Sequence, residues 1–354
     1  MKHSDMCGRR LILVSILALS GVSARGASGT WAGTQSEHWT NSANWSASPF
    51  PSGDETATFN GAGNNRTNIN VALLSGIQNI TFDSTSVSNY SIGLEPVNSQ
   101  TLVFRNSGNI RLTSSANKSQ SILAAVQLGP DRGGASYTFQ NDHLFSVLTV
   151  AGDVAGPASG GSTAGDKTIN VNGSGMIRFL GNVTRGGANN LDLIVNSSGI
   201  TTFSGTNILR LMRMYGGPGS VVDIGAGMTT FTNGGGENIH STYGGTITGS
   251  GALVLSTAAG ENNADNRVDD LNATLNINCR LTGGAGFELY SGNGAAGTIA
   301  LNNTNNDFLG NIFLNTAGTL SAVKFGNQGS TDSSLGAGVR SEEHTSELQS
   351  RQVI

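Results

Sequence analysis

The fold class this sequence predicts is a parallel β-helix, and three observations predict it. The first is composition. There are 51 Gly and only 6 Pro, with Thr, Val, Ile and Phe scattered between Gly and Asn clusters. Helix formers are thin, so the chain reads as many short strands and many turns. The second is a recurring five-residue pattern. "GMIRF" begins at Gly175, "GITTF" at Gly199, "GMTTF" at Gly227, "GALVL" at Gly251 and "GTIAL" at Gly297, with first steps of 24, 28 and 24 residues. The third is an N-terminal segment unlike the rest, holding all 3 Trp, at positions 31, 39 and 45.

In an extended strand the second and fourth residues after each Gly share one face. Those pairs are Ile177/Phe179, Thr201/Phe203, Thr229/Phe231, Leu253/Leu255 and Ile299/Leu301. A looser copy, "GFELY" from Gly286, carries Phe287 and Leu289, and "TLVF" and "NIRL" near Phe104 and Leu112 read as earlier members. Each strand is too short to stand alone, whereas stacking coil on coil pairs every backbone and builds one core. Gly- and Asn-rich corners supply the left-handed backbone positions the turns need. The expectation is one interior column through Phe179, Phe203, Phe231, Leu255 and Leu301. A β-sandwich is the alternative, because short strands with polar turns also describe it.

Taken in order, the chain divides into four parts. Residues 1–24 read as a secretory signal peptide: Arg9 and Arg10, an apolar run from Leu11 to Leu19, then small residues Val22-Ser23-Ala24, with cleavage after Ala24. The paired arginines raise the twin-arginine route, but the flanking motif is poor. Residues 25–60 form a Trp-rich cap. The first coil of a solenoid exposes an apolar cross-section and unpaired strand edges, and large aromatics there would cover it. A sugar-binding face built from Trp31, Trp39 and Trp45 is the functional alternative. Residues 61–339 carry the β-helix repeats, truncated at the C-terminal end. Residues 340–354 break the pattern. Only six Glu occur before residue 340, and then Glu342, Glu343 and Glu347 arrive together. "RSEEHTSELQS", Arg340 to Ser350, is the codon-by-codon translation of a common sequencing adapter. That makes the tail an artefact to set aside.

"WAGTQSEHWTNSANW", followed by Pro51, Asp54 and "ATF", resembles the opening of bacterial proteins with autotransporter-associated β-strand repeats. "GTIALNNTNNDFLGNIFLNTAGTL", Gly297 to Leu320, resembles the repeat itself. Ile299, Leu301, Asn305, Phe308, Gly310, Ile312, Leu314, Gly318, Thr319 and Leu320 fall on its positions, with one extra residue in the Asn turn. "SSLGAG", Ser333 to Gly338, resembles the segment that commonly follows, and "GITTFSGTN" is a partial copy. The resemblance implies an exported, passenger-like β-helix at the extracellular or outer-membrane surface, partnered by extracellular glycans or cell-surface molecules. Some relatives of this kind end in an outer-membrane barrel or a sorting anchor, which the adapter would have cut away here. The family has no common catalytic residues to carry over.

Composition excludes several classes. Net charge is −4 with 12 % charged residues, and no basic patch suggests nucleic acid. Outside the leader no apolar run is long enough to span a membrane. Of the 2 Cys, Cys7 leaves with the leader, so Cys279 in "INCRL" is a lone thiol with a buried, inert reading. His38, His143 and His240 show no metal spacing. No Gly-x-Ser-x-Gly elbow sits between a strand and a helix, and no phosphate loop occurs. "LRLMRMY", Leu209 to Tyr215, reads as a strand with Arg on its wet face.

The densest acidic stretch is "ENNADNRVDD", Glu261 to Asp270. If it is extended, Asp265, Arg267 and Asp269 share a face, while Asp269 and Asp270 point opposite ways. Asp265, Asp269 and Asp270 are therefore the candidate ligand or ion residues, with calcium as the one ion their oxygens suit. A solvated corner loop is the plainer reading, and no cofactor is required. The function expected is a surface-exposed structural or adhesive β-helix without catalysis. A polysaccharide lyase, a glycosidase or a glycan-binding module on the same fold is the alternative. Clustered acidic and basic side chains across neighbouring coils would favour the enzyme; exposed coplanar Trp rings would favour glycan binding.

Overall fold

The computed structural model describes residues 26–129, 134–157, 165–232, 237–256, 263–290, 297–315 and 318–322. The leader-like segment (1–24), Glu261, Ser333–Gly338 and the adapter-like tail (340–354) lie outside the described residues. The chain winds as a parallel β-solenoid. Every strand pairing among the described residues is parallel; the one antiparallel contact is the isolated bridge Trp31–Trp45. A sandwich would need antiparallel ladders, so that alternative falls.

Each coil visits three sheet faces in turn. Ala135–Asn141 lies on the first face, Val147–Val150 on the second and Val154–Ala155 on the third. Lys167–Gly173 then returns to pair with Ala135–Asn141. The second face is an 11-stranded sheet. The first and third merge into a 19-stranded sheet because the long strand Thr101–Leu112 runs through both. Its start pairs with Ala125–Leu128 and its end with Ala135–Asn141.

This geometry corrects the single column. Phe179, Phe203, Phe231, Leu255 and Leu301 are all buried, but on two faces. Phe179 pairs with Phe203 on the second face. On the same face Ile177, Thr201, Val222, Ile247, Ile277 and Leu301 form the adjacent row. Phe231, in register with Leu209, belongs to the third face, as does Leu255. The 28-residue step is therefore one coil plus one corner, whereas each 24-residue step is one coil. The Gly-led five-mer marks any strand that leaves a tight corner, and the chain uses it on both faces.

The cap is a knot of aromatic rings. Trp31, Trp39 and Trp45 are buried and all pack on Phe59, at centroid separations of 6.1, 5.8 and 5.7 Å. Their indole N–H groups donate to the carbonyls of Arg66, Pro51 and Trp39. Buried Asn44 ties the loop by accepting from the Gln35 and Ser36 amides and donating to the His38 carbonyl. Gly29–Thr30 pairs with Ala57–Thr58, so the cap also supplies an edge strand to the first coil.

The segment Gly297–Leu320 is one coil. Thr298–Leu301 lies on the second face, Phe308 is buried on the third, Ile312–Asn315 lies on the first, and Thr319 returns to pair with Thr298. The extra residue in its Asn turn has a structural reading. Asn305 is exposed, while its neighbour Asn306 is buried and accepts from the Leu281 amide.

Candidate functional site

Charge on this molecule gathers on the first face. Three consecutive strands there, Leu211–Met214, Glu237–Ser241 and Asn263–Val268, stack in register. Arg213, His240 and Arg267 lie directly opposite one another. Beside them runs an acidic row, Glu237, Asp265 and Glu288, also in register. Like charges directly opposite across a ladder destabilise it. The two rows offset that by pairing sideways.

Glu237 bridges both arginines, with Arg213 Nη2 at 3.2 Å and Arg267 Nη1 at 3.0 Å. Beyond the strand end, Asp269 lies 2.7 Å from His240 Nε2 and 3.3 Å from Arg267 Nε. Thr242 donates to the same carboxylate. His240 is buried at 4 % exposure, while its Nδ1 faces Arg267 Nη2 at 3.4 Å. The same Nδ1 lies 3.8 Å from Glu237 Oε2, so the imidazole sits between a guanidinium and a carboxylate. The Tyr215 ring meets the imidazole edge-on at 5.5 Å. Burial pushes the Tyr215 hydroxyl above its ordinary pKa; Arg213 and Arg267 pull it down, while Glu237 and Asp269 push it up. Tyr215 is thus a neutral O–H set among four charges.

Of the sequence candidates, Asp265 and Asp269 do share a face with Arg267. Asp270 turns away, is exposed, and accepts from the Asn272 amide at a corner. Among the described residues no group of three or more His, Cys, Asp or Glu side chains forms a metal site. Trp31, Trp39 and Trp45, weighed as a glycan face, are core residues with no ring left open for a sugar to stack on. Arg213 is on the wet face as read, but Arg210 precedes its strand and clamps Asp192 and Asp166. Glu237, His240 and Tyr215 were not picked out from sequence. Only the coil-to-coil register brings them together, because Tyr215 and Glu237 stand on different coils.

Cys279 is buried, and burial pushes its thiol up to about 12. No helix among the described residues is long and apolar enough to cross a membrane. No protein-family model, curated protein or solved structure matches this chain.

Proposed function

We propose that this chain is the displayed solenoid of an exported surface protein, a structural or adhesive module without catalysis. One observation carries the reading. An unbroken parallel ladder among the described residues, closed at its start by the aromatic cap, is an extended scaffold whose outward rows are rich in Thr, Ser and Asn. The leader-like start and the resemblance to autotransporter-associated repeats point the same way. The test is display. An epitope-tagged chain expressed in a Gram-negative host with its natural downstream sequence should be cut by external protease on intact cells. Protection until the outer membrane is opened overturns the reading.

A polysaccharide-active enzyme on the same fold is favoured by one observation, the meeting of acidic and basic side chains from neighbouring coils around His240 and Asp269. Incubation with soluble polysaccharides, followed by an assay for new reducing ends, decides it. Chain cleavage that Asp269→Asn abolishes would install the enzyme reading.

A further inference from the structure

The second face is nearly free of charge. Its 11 strands hold two charged side chains, Arg178 and Asp223. Both point outward, because their flanking residues are buried: Ile177 and Phe179 beside Arg178, Val222 and Ile224 beside Asp223. They share one row, with Thr202 opposite both and between them. Strands lie about 4.8 Å apart, so the two charges stand at about twice that spacing, too far to pair within the chain. Among the described residues no ion pair takes either one, whereas Arg111–Asp142 and Arg280–Asp307 join neighbouring coils. Arg178 Nε donates to the Met176 sulfur at 3.1 Å, which leaves both terminal nitrogens free. Asp223 Oδ1 accepts from the Gly225 amide at 2.8 Å, which fixes the carboxylate and leaves Oδ2 free.

Two positions earlier on the same strands runs an outward apolar row, Val147, Met176, Ile200 and Val221. Ile200 is 40 % exposed and the other three are half-buried. The strand that carries Ile200 and Thr202 is also the sixth of the 11, with five on each side. The opposite charges are therefore placed evenly about the middle of the described sheet.

We propose that the second face is a homodimer interface, on which a second copy of this chain docks face to face across a two-fold axis parallel to the strand Ile200–Phe203. That operation keeps each row over its own row and exchanges the coils on either side of the axis. Arg178 of one copy then meets Asp223 of the other, twice per dimer. Ile200 and Thr202 each meet their own counterparts, Met176 meets Val221, and Val147 and Thr149 meet Thr246 and Thr248. No like charges meet. A two-fold axis along the solenoid would instead set Arg178 over Met176 and leave both charges unpaired. Such an interface is isologous, the commonest arrangement of soluble oligomers. Eleven strands of about four residues give a footprint of roughly 700 Å² per copy, close to the about 800 Å² per partner of a stable complex. The dimer goes beyond the display reading and does not depend on it.

The experiment is sedimentation of the purified full chain over a dilution series. The expected mass rises from one chain to two. Arg178→Asp and Asp223→Arg should each weaken dimerisation about a hundredfold by setting like charges opposite one another. Mixing the two variants should restore a dimer, because each supplies the charge the other lacks at both contacts. Their thermal melts should match the parent. Asp223→Asn keeps the acceptor for the Gly225 amide, serves where the arginine disturbs that corner, and should weaken the dimer as well. In a Cys7→Ser background a short bismaleimide should join Thr202→Cys chains as dimers and leave Thr138→Cys chains, altered on the first face, single. A monomer at every concentration overturns the proposal and leaves the apolar row to another occupant. A dimer indifferent to both reversals, folded variants that do not recover on mixing, or equal cross-linking from both faces overturns it too. Display on intact cells is scored separately: a displayed monomer loses the dimer alone, and a dimer that stays behind the outer membrane loses the display reading alone.

Discussion

Phe203 stacks on Phe179 with ring centroids 4.8 Å apart and planes only 2° from parallel, and Phe179 meets Phe139 edge-on at 5.1 Å. Removing the Phe203 ring opens a cavity between two coils that strand hydrogen bonds hold at fixed spacing, so neither can collapse into it. Phe203→Ala should therefore cost about 3–5 kcal/mol in urea unfolding; an unchanged midpoint would contradict the packing. Cys279 makes a second prediction. An unfolded thiol ionises near its ordinary 9.0, whereas the buried one holds its proton to about 12. The folded state thus binds the extra proton between those values, and stability falls as pH rises through that window. Tyr90, raised by burial from 10.0 to about 12, adds to the same alkaline loss. In a Cys7→Ser background, Cys279 should resist a thiol reagent until denaturant is added, and Cys279→Ala should flatten part of the alkaline slope. Burial of Phe179, Phe203 and Cys279 was legible from their apolar neighbours, whereas that of Phe139 and Tyr90 was not read from the sequence. Thr201 and Thr229 show what was not. Both sit in interior rows, but Thr229 accepts from buried Asn207 while the Thr201 hydroxyl has no partner, a difference that depends on which residue lies on the next coil.

The elements are short because the corners are fixed. Where the second face turns to the third, the backbones of successive coils approach until no side chain fits between them. A Cβ on Gly251 would lie 1.8 Å from the Gly227 carbonyl oxygen, and one on Gly227 would lie 2.2 Å from that of Gly205. Gly251→Ala must push two coils apart at a corner. It should lower stability by about 1–3 kcal/mol, the range for overpacking a tight site, read as a shifted thermal midpoint with unchanged circular dichroism at low temperature. A variant as stable as the parent would show that the corner can yield. The Gly-led strand starts were visible in the sequence for this reason: the corner demands Gly wherever the turn is tight. What the pattern could not convey was the face, because strands leaving different corners share the same local sequence. The charged rows of the first face stayed hidden for the same cause. "RMY", "ENIHST" and "DNRVD" carry no common spacing, and the loops between them differ in length, so only the ladder aligns Arg213 with His240 and Arg267.

At the scale of the whole molecule, a solenoid has no closing contact of its own: each coil is held only by its neighbours, and the first has one neighbour fewer. Here the cap fills that role in two ways. Its three indoles cover Phe59, and its backbone satisfies the first coil's edge, with the Trp31 amide donating to the Thr58 carbonyl at 2.8 Å. Large aromatics each remove roughly 150–250 Å² from water when buried, so deleting residues 31 to 48 would bare Phe59 together with an open strand edge. Such an edge is a template for pairing with another chain. The deletion should form light-scattering oligomers at concentrations where the parent stays monomeric. The alternative, in which the tryptophans are themselves the sugar platform, predicts the reverse order: binding lost and solubility kept. Light scattering and affinity electrophoresis on the same deletion separate the two. A soluble monomer that no longer binds glycan would overturn the capping role of the three tryptophans.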